Sequence, residues 1–389
     1  MPRAGRRRPP PPAGSSAVCA AGRGLRIPYH NKADGFMAAL ILALNQIKFC
    51  ELHSCQPRVE WGPFPACKYS GVRFPGRTPF FDASYGRNAF LYFFRQICAG
   101  SPATQEAPPS LSCDQREELH RVLPWAVRTY YYGVGAGAAP ALGNGTYDEA
   151  WYSRQRTEGA RLVRTYLRLQ PAIASRLSNL SLELLGSGGD GRHGGGGGVS
   201  TSGGGGRHKR RRQRGSTAIS THLASSRVTT GVAPVLGVHL RGTDKGRYIG
   251  TAGSGRAIGP AEYEPYVRAF LKAHGPEATV FVATDSPSFL AEVLAKWPAG
   301  RVRYRRDVLR LEANAAFAKS APRSTKGNYR KGEEVLLDAL LLARCDFLLH
   351  AASGVAEFAI YWSPRLHAHS VHMQYEHERQ QPSWFKGVD

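Results

Sequence analysis

The sequence predicts an α/β protein built around a parallel sheet, with two domains, and three observations carry that expectation. From about Arg227 onward, short apolar runs alternate with helical stretches of roughly 8 to 15 residues, the pattern of strands joined by crossover helices. The chain of 389 residues is 42% hydrophobic, long and apolar enough to bury two cores. Between its halves lies a segment that cannot fold alone. Thirteen of the 21 residues from Gly186 to Gly206 are glycine, followed by Arg207-His-Lys-Arg-Arg-Arg-Gln-Arg. Such a tract loses chain entropy on ordering and has nothing to bury. The expected organisation is therefore a disordered basic Pro-rich tail at 1–20, a first domain at 21–185, a disordered insert at 186–226 and a second domain at 227–389.

In the first domain, Gly24-Leu-Arg-Ile-Pro reads as a strand, followed by a helix from about Ala33 to Cys50. The apolar run Phe36 to Leu44 stops at Asn45-Gln46 and reads as half of a buried helix, short of the roughly 18 apolar residues of a membrane span. A second helical pattern runs from about Asp148 to Leu185, interrupted by Pro171. In the second domain, strands are expected at Pro234 to Leu240, Ala278 to Thr284, Arg301 to Tyr304 and Asp346 to His350. Helices are expected at Pro260 to His274, Pro287 to Trp297, Gly332 to Arg344 and Val355 to Trp362. Alternation of this kind implies right-handed crossovers and a sheet covered on both faces.

The net charge of +23 first suggests a nucleic-acid binder. Four arginines in residues 1–20 and a net +6 in residues 186–226 account for part of it, leaving +13 over the two domains. An enzyme handling a diphosphate carries a similar balance, so no specific nucleic-acid partner is expected. Six of the seven cysteines lie in the first third of the chain. No CxxC pair is present, which argues against zinc, and the clustering fits either disulfides in an oxidising lumen or reduced thiols in the cytosol. Asn144-Gly-Thr and Asn179-Leu-Ser are glycosylation sequons, meaningful in a secreted chain. Met1 to Gly14 has no apolar core for a signal peptide or anchor.

Ligands of open parallel sheets bind beyond the C-terminal strand ends. There the sequence places His239-Leu-Arg-Gly-Thr-Asp-Lys245. A period of two puts His239, Arg241 and Thr243 on one side. Arg241 offers a bidentate fork for a phosphate, and Gly242 lets a ligand approach the backbone. After the next strand comes Thr284-Asp285-Ser286, where Asp285 or Ser286 serves the ligand or simply caps a helix with Pro287 at its first position. Asp338 is one carboxylate in an apolar helix, so it must find donors or face a cleft. Glu334 lies one turn earlier, and the two together also fit a wet helix edge. Ser353-Gly354 opens a helix whose backbone N–H groups suit a phosphate, or Ser353 is an ordinary cap.

These motifs resemble the α1,6-/O-fucosyltransferase-like superfamily. His239-Leu-Arg-Gly-Thr-Asp-Lys is similar to its first motif, Ala283-Thr-Asp-Ser-Pro-Ser to its second, and the stretch from Leu336 to Leu349 followed by Ser353 to its third. Asn31-Lys-Ala-Asp-Gly-Phe resembles its early glycine loop facing the donor, which adds Asn31 and Gly35 as possible site residues, and Val59-Glu-Trp a following strand. The resemblance implies a GT-B architecture, two Rossmann-like domains with the donor in the cleft between them. It implies GDP-fucose as donor, a glycan or glycoprotein acceptor, inversion at the anomeric carbon, no metal or other cofactor, and a Golgi or ER lumen. Carried over by position, His239 and Asp338 contact guanine, Arg241 clamps the β-phosphate, Ser353 and the Gly354 amide add phosphate donors, and Lys245 sits near the reacting centre. Two departures stand out. Gly242 replaces a second arginine, and Lys245-Gly-Arg-Tyr-Ile-Gly lacks the acid some members carry after the lysine. The base is thereby unassigned, with Asp244, Asp34 or an acceptor-side residue open. Three other readings stay open: a GT-B enzyme using another nucleotide sugar, a basic nucleic-acid-binding protein driven by residues 207–214, and a non-catalytic sugar-binding homologue.

Overall fold

The computed structural model describes residues 19, 24–29, 35–62, 80–98, 149–186, 233–242, 258–310, 327–351 and 353–373. The Pro-rich tail to residue 18 and the insert beyond Gly186 lie outside the described residues, as do Asn31, Asp244 and Lys245.

The described first half opens with strand β1 (Gly24–Pro28), which pairs in parallel with β2 (Gln56–Glu60). Helix α1 (Phe36–His53) crosses between them. Leu25 and Ile27 of β1 are buried while their neighbours are half-buried, the period of a strand covered chiefly on one face. Helix α1 is built from strong helix formers and begins at Phe36 rather than near Ala33, because Gly35 is extended and acts as its cap. It is the one described helix long and apolar enough by composition to cross a membrane, but two-thirds of that window is buried within the protein. At its end Ser54 turns left-handed and the Cys55 N–H returns to the Cys50 carbonyl, where a disulfide joins Cys50 to Cys55. A second disulfide, Cys19–Cys98, spans 79 residues. The short helix α2 (Phe90–Phe93) completes an edge-to-face aromatic cluster in which Phe36 lies 4.9 to 5.6 Å from Phe93, Phe80 and Trp61.

The long helical pattern divides at Pro171 into α3 (Glu149–Tyr166) and α4 (Pro171–Leu185). Proline sits at the first position of α4, where its missing N–H costs nothing.

The second half is a five-stranded, all-parallel sheet: β3 (Val235–Leu240), β4 (Thr279–Thr284), β5 (Val302–Tyr304), β6 (Phe347–His350) and β7 (Ser370–His372), in the order β5-β4-β3-β6-β7. The helices are α5 (Pro260–His274), α6 (Pro287–Lys296), α7 (Asn328–Leu342) and α8 (Gly354–Trp362). Alternate residues of each strand serve opposite faces. Leu236, Val238, Leu240, Val280 and Val282 pack with α5 and α6. Val235, Phe281, Ala283 and Leu348 pack with α7 and α8. All the strands and helices expected here form. Strand β7 was not anticipated, since three residues carry too little pattern. Helix α7 starts four residues earlier than Gly332: its first turn is polar and is held by tertiary bonds, Gly327 N to Asp82 Oδ2 (3.2 Å) and Asn328 Nδ2 to the Phe81 carbonyl (3.2 Å).

Helix α7 is apolar nearly all round because it is enclosed, by β3 and β4 beneath and by α1, α4 and α8 around it. Its Leu336, Leu337, Leu340, Leu341 and Leu342 are fully buried, each stabilising the fold by about 1.5–3 kcal/mol. One apolar core therefore joins α1, α3 and α4 of the first half to α7 and α8 of the second. The contact of α3 with α8 is close: a β-carbon at Gly159 would lie 2.9 Å from the Tyr361 ring.

Candidate functional site

The sheet order reverses between β3 and β6. The chain leaves β3 for one face of the sheet and β6 for the other, which opens a crevice beyond their C-terminal ends. His239 and His350 are register partners at that edge, and His350 is in turn the partner of His372. All three are buried.

Arg241 and Gly242 follow β3 directly and are half-buried. The Gly242 N–H donates to Asp285 Oδ1 at 2.8 Å. Ser286 is the residue that caps α6, its hydroxyl accepting from Phe289 N at 3.3 Å. Asp285 thus holds the Arg241-Gly242 turn across the ends of β3 and β4. Glycine at 242 also has an internal reason: a β-carbon there would lie 2.6 Å from the Ser286 β-carbon and 3.2 Å from the Phe289 ring. The close approach is made by the protein itself, and the amide is already used.

Beyond β6, Ser353 caps α8, its hydroxyl accepting from Val355 N at 3.2 Å. The same hydroxyl keeps its own proton for donation. Gly354 abuts the first turn of α1: a β-carbon on it would lie 3.3 Å from the Ala38 nitrogen and 3.4 Å from the Met37 β-carbon. Two helix N-termini therefore meet at the crevice. That of α1 has no side-chain cap and no acidic residue in its first turn, and nothing lies within 4 Å of the β-carbon position at Gly35. Converging N–H groups and helix dipoles make such a place favourable for an anion. Gly35 caps α1, and the first turn of that helix lies against Gly354, the first residue after the Ser353 cap of α8.

The first turn of α8 does carry one acid, Glu357. It is buried and paired in two bonds with Arg156 of α3, Nε to Oε1 at 2.9 Å and Nη2 to Oε2 at 3.2 Å. Arg156 Nη1 also reaches His367 Nδ1 at 3.0 Å. Burial, reinforced by Arg156, pushes His350 down to about 4, so its imidazole is neutral near pH 7. His350 Nδ1 lies 3.2 Å from the Ala351 carbonyl, which accepts and so places the ring proton on Nδ1. Sequence reasoning missed Arg156, Glu357 and His350. Only His350, at the end of an expected strand, carries a readable signal.

Asp338 finds a donor rather than standing alone. Its Oδ1 accepts from Nη1 of Arg305 at 3.0 Å, and the same nitrogen donates to the Glu334 carbonyl at 3.0 Å. Arg305 Nη2 reaches Asp307 Oδ2 at 3.1 Å. Burial still pushes the Asp338 carboxyl up to about 6, against the pull of Arg305, and its side chain keeps 14% of its surface exposed. Glu334 is engaged separately, accepting from Leu309 N at 3.0 Å and Arg330 Nε at 2.7 Å. The two carboxylates thus belong to a hydrogen-bonded shell and not to a merely wet edge. Arg305 stands just beyond β5, where the polar sequence reads as an ordinary loop. Among the described residues no three His, Cys, Asp or Glu side chains are grouped to hold a metal ion.

No family model matches this chain, and no curated protein does. Among solved structures, the chain is similar to the NodZ alpha-1,6-fucosyltransferase soaked with GDP-fucose, at 16% identity and a TM-score of 0.39, over 88% of this chain and 93% of that one. It is similar to fucosyltransferase NodZ from Bradyrhizobium at 16% identity and a TM-score of 0.38, over 87% and 92%. Likeness at this distance assigns no residue a role. By its own architecture the chain is an α/β protein whose described residues form two parallel sheets.

Proposed function

We propose that this chain is a glycosyltransferase of GT-B type that takes fucose from GDP-fucose and passes it to a glycan or glycoprotein, with inversion and without a metal. One observation carries the reading. The N-termini of α1 and α8 meet at the switch point of the sheet, one strand away from the Arg241 turn. A diphosphate placed there receives the Ser353 hydroxyl, first-turn amides of both helices and the Arg241 fork. The resemblance of the His239-to-Lys245 segment and of the stretch from Leu336 to Leu349 assigns the remaining roles: His239 and Asp338 to guanine and Lys245 to the neighbourhood of the anomeric carbon. As the bond from that carbon to the β-phosphate oxygen breaks, negative charge gathers on the diphosphate, and Arg241 stabilises it where it develops. The acceptor oxygen bonds to the opposite face of the carbon and its proton departs to a base that is not assigned. The two disulfides support folding in an oxidising lumen.

A second reading rests on Lys245-Gly-Arg-Tyr-Ile-Gly, which lacks the acid of some relatives: a sugar-binding protein without turnover. Thermal unfolding with GDP-fucose, GDP and UDP-sugars tests both. GDP and GDP-fucose are expected to raise the melting temperature and UDP-sugars not to. No rise with either guanine nucleotide at millimolar concentration would end the donor assignment, and a rise without hydrolysis or transfer would favour the second reading. Arg241→Ala is expected to cut transfer by roughly a hundredfold or more, about 2.7 kcal/mol of barrier, with melting unchanged. Activity within about threefold of the parent removes the phosphate clamp.

A further inference from the structure

We propose that the exposed ring of Tyr85 is a platform on which a sugar ring of the saccharide acceptor stacks. The acceptor role rests on the glycosyltransferase reading; the place rests on geometry. Tyr85 closes a 3-10 turn (Ala83–Tyr85) and is 56% exposed, the only aromatic among the exposed large hydrophobic residues described. One face of it is taken. It stacks on Tyr329 with centroids 3.9 Å apart and planes at 7°, and Tyr329 stacks on Phe93 at 5.4 Å and 7°. Tyr92 lies beside Tyr85 at 5.8 Å, tilted by 50°, and more than half of the Tyr85 surface is open to solvent.

The platform is rigid. Asp82 Oδ1 accepts from the Ser84 N–H at 3.1 Å and the Ser84 hydroxyl at 2.6 Å. The Tyr92 hydroxyl lies 2.7 Å from the carbonyls of both Asp82 and Gly86. Tyr329 is fixed in turn by its bond to Glu333 Oε1 at 3.0 Å, and Glu333 is paired with Arg176. Little ordering entropy remains to be lost on binding.

The chemistry around the ring selects the ligand. Ala83, Ser84, Gly86 and Arg87 are exposed beside it. They form no contiguous apolar patch of the kind a protein partner needs. A flat ring with an electron-rich face, next to a hydroxyl oxygen that can accept and a guanidinium that can donate, matches the C–H face and hydroxyl rim of a sugar. The location also fits. One turn along α7 from Tyr329, Gly332 abuts Phe93 and Phe36, and Phe36 opens the helix whose first turn meets Gly354. The platform is therefore linked to the first turn of α1 through the rings of Tyr329, Phe93 and Phe36.

An array of immobilised oligosaccharides probed with the full chain, Tyr85→Ala, Tyr85→Trp and Tyr85→Leu tests the proposal, with GDP-induced thermal stabilisation measured for each. The parent and Tyr85→Trp are expected to retain a common set of glycans. Tyr85→Ala should lose roughly tenfold or more of that signal, with the GDP response intact. Tyr85→Leu keeps apolar area without a flat ring, so it decides the matter should the alanine variant fail to fold; it too should lose retention. Retention of no glycan by the parent overturns the proposal, as does equal retention by the leucine variant. Absence of a GDP response in the parent sinks the donor reading alone, because Tyr85-dependent glycan retention would persist.

Discussion

At Gly242 the missing side chain is an internal requirement. A β-carbon would stand 2.6 Å from that of Ser286, so Gly242→Ala is expected to displace the turn that carries Arg241 and to cost about 1–3 kcal/mol as an overpacking defect. Chemical denaturation measures the loss, and Ser286→Gly in the same chain should recover part of it. His350 makes a prediction about pH. Unfolded, its imidazole takes up a proton near 6.5; folded, only near 4. Its contribution is complete above pH 6.5 and is lost as pH falls toward 4, at up to about 1.4 kcal/mol per pH unit. Asp338 acts in the opposite sense, since a carboxyl raised from 3.8 to about 6 favours the fold at the acid end of the same window. Comparing urea midpoints at pH 7 and pH 5 for the parent and His350→Gln isolates the histidine: the variant should show a smaller fall. Equal falls would mean that His350 does not titrate as its burial requires.

At the scale of elements, α8 has to present a positive N-terminus while carrying a glutamate in its first turn. Arg156, brought by α3, offsets that charge through a buried two-bond pair. Arg156→Met leaves an unpaired buried carboxylate and is expected to cost about 3–5 kcal/mol, read as a lower melting temperature. Adding Glu357→Gln should restore most of the stability. If it does not, Arg156 acts through packing of α3 against α8 rather than through charge. The helix α8 itself, its Ser353 cap and its neighbour β6 were legible in the sequence, because an apolar strand, a cap and an apolar helix are local signals. The partner in α3 was not, since 201 residues separate Arg156 from Glu357 and nothing in a polar helical stretch marks which arginine is buried. Arg305 was missed for a different reason: β5 is three residues long, and its polar follow-on reads as an ordinary loop.

Across the whole molecule, the Cys19–Cys98 disulfide closes the longest covalent loop described. A loop of that length stabilises by about 4–5 kcal/mol on chain-entropy grounds. The paired Cys19→Ser, Cys98→Ser variant should therefore melt roughly 5–10 °C lower, and an unchanged melting temperature would argue against the pairing. The sequence by itself determined the alternation of strands and helices, the boundaries of α5, β4 and α6 to within a residue, and the polar residues waiting at strand ends. These depend on period, propensity and caps, all written within a dozen neighbouring residues. Only the tertiary structure decided that β3 and β6 lie side by side, that the first turn of α1 meets Gly354, and that Asp338 is held by Arg305. Those are contacts between segments far apart in the chain, fixed by how enclosed helices share one apolar core, and no local pattern records the partner that burial selects.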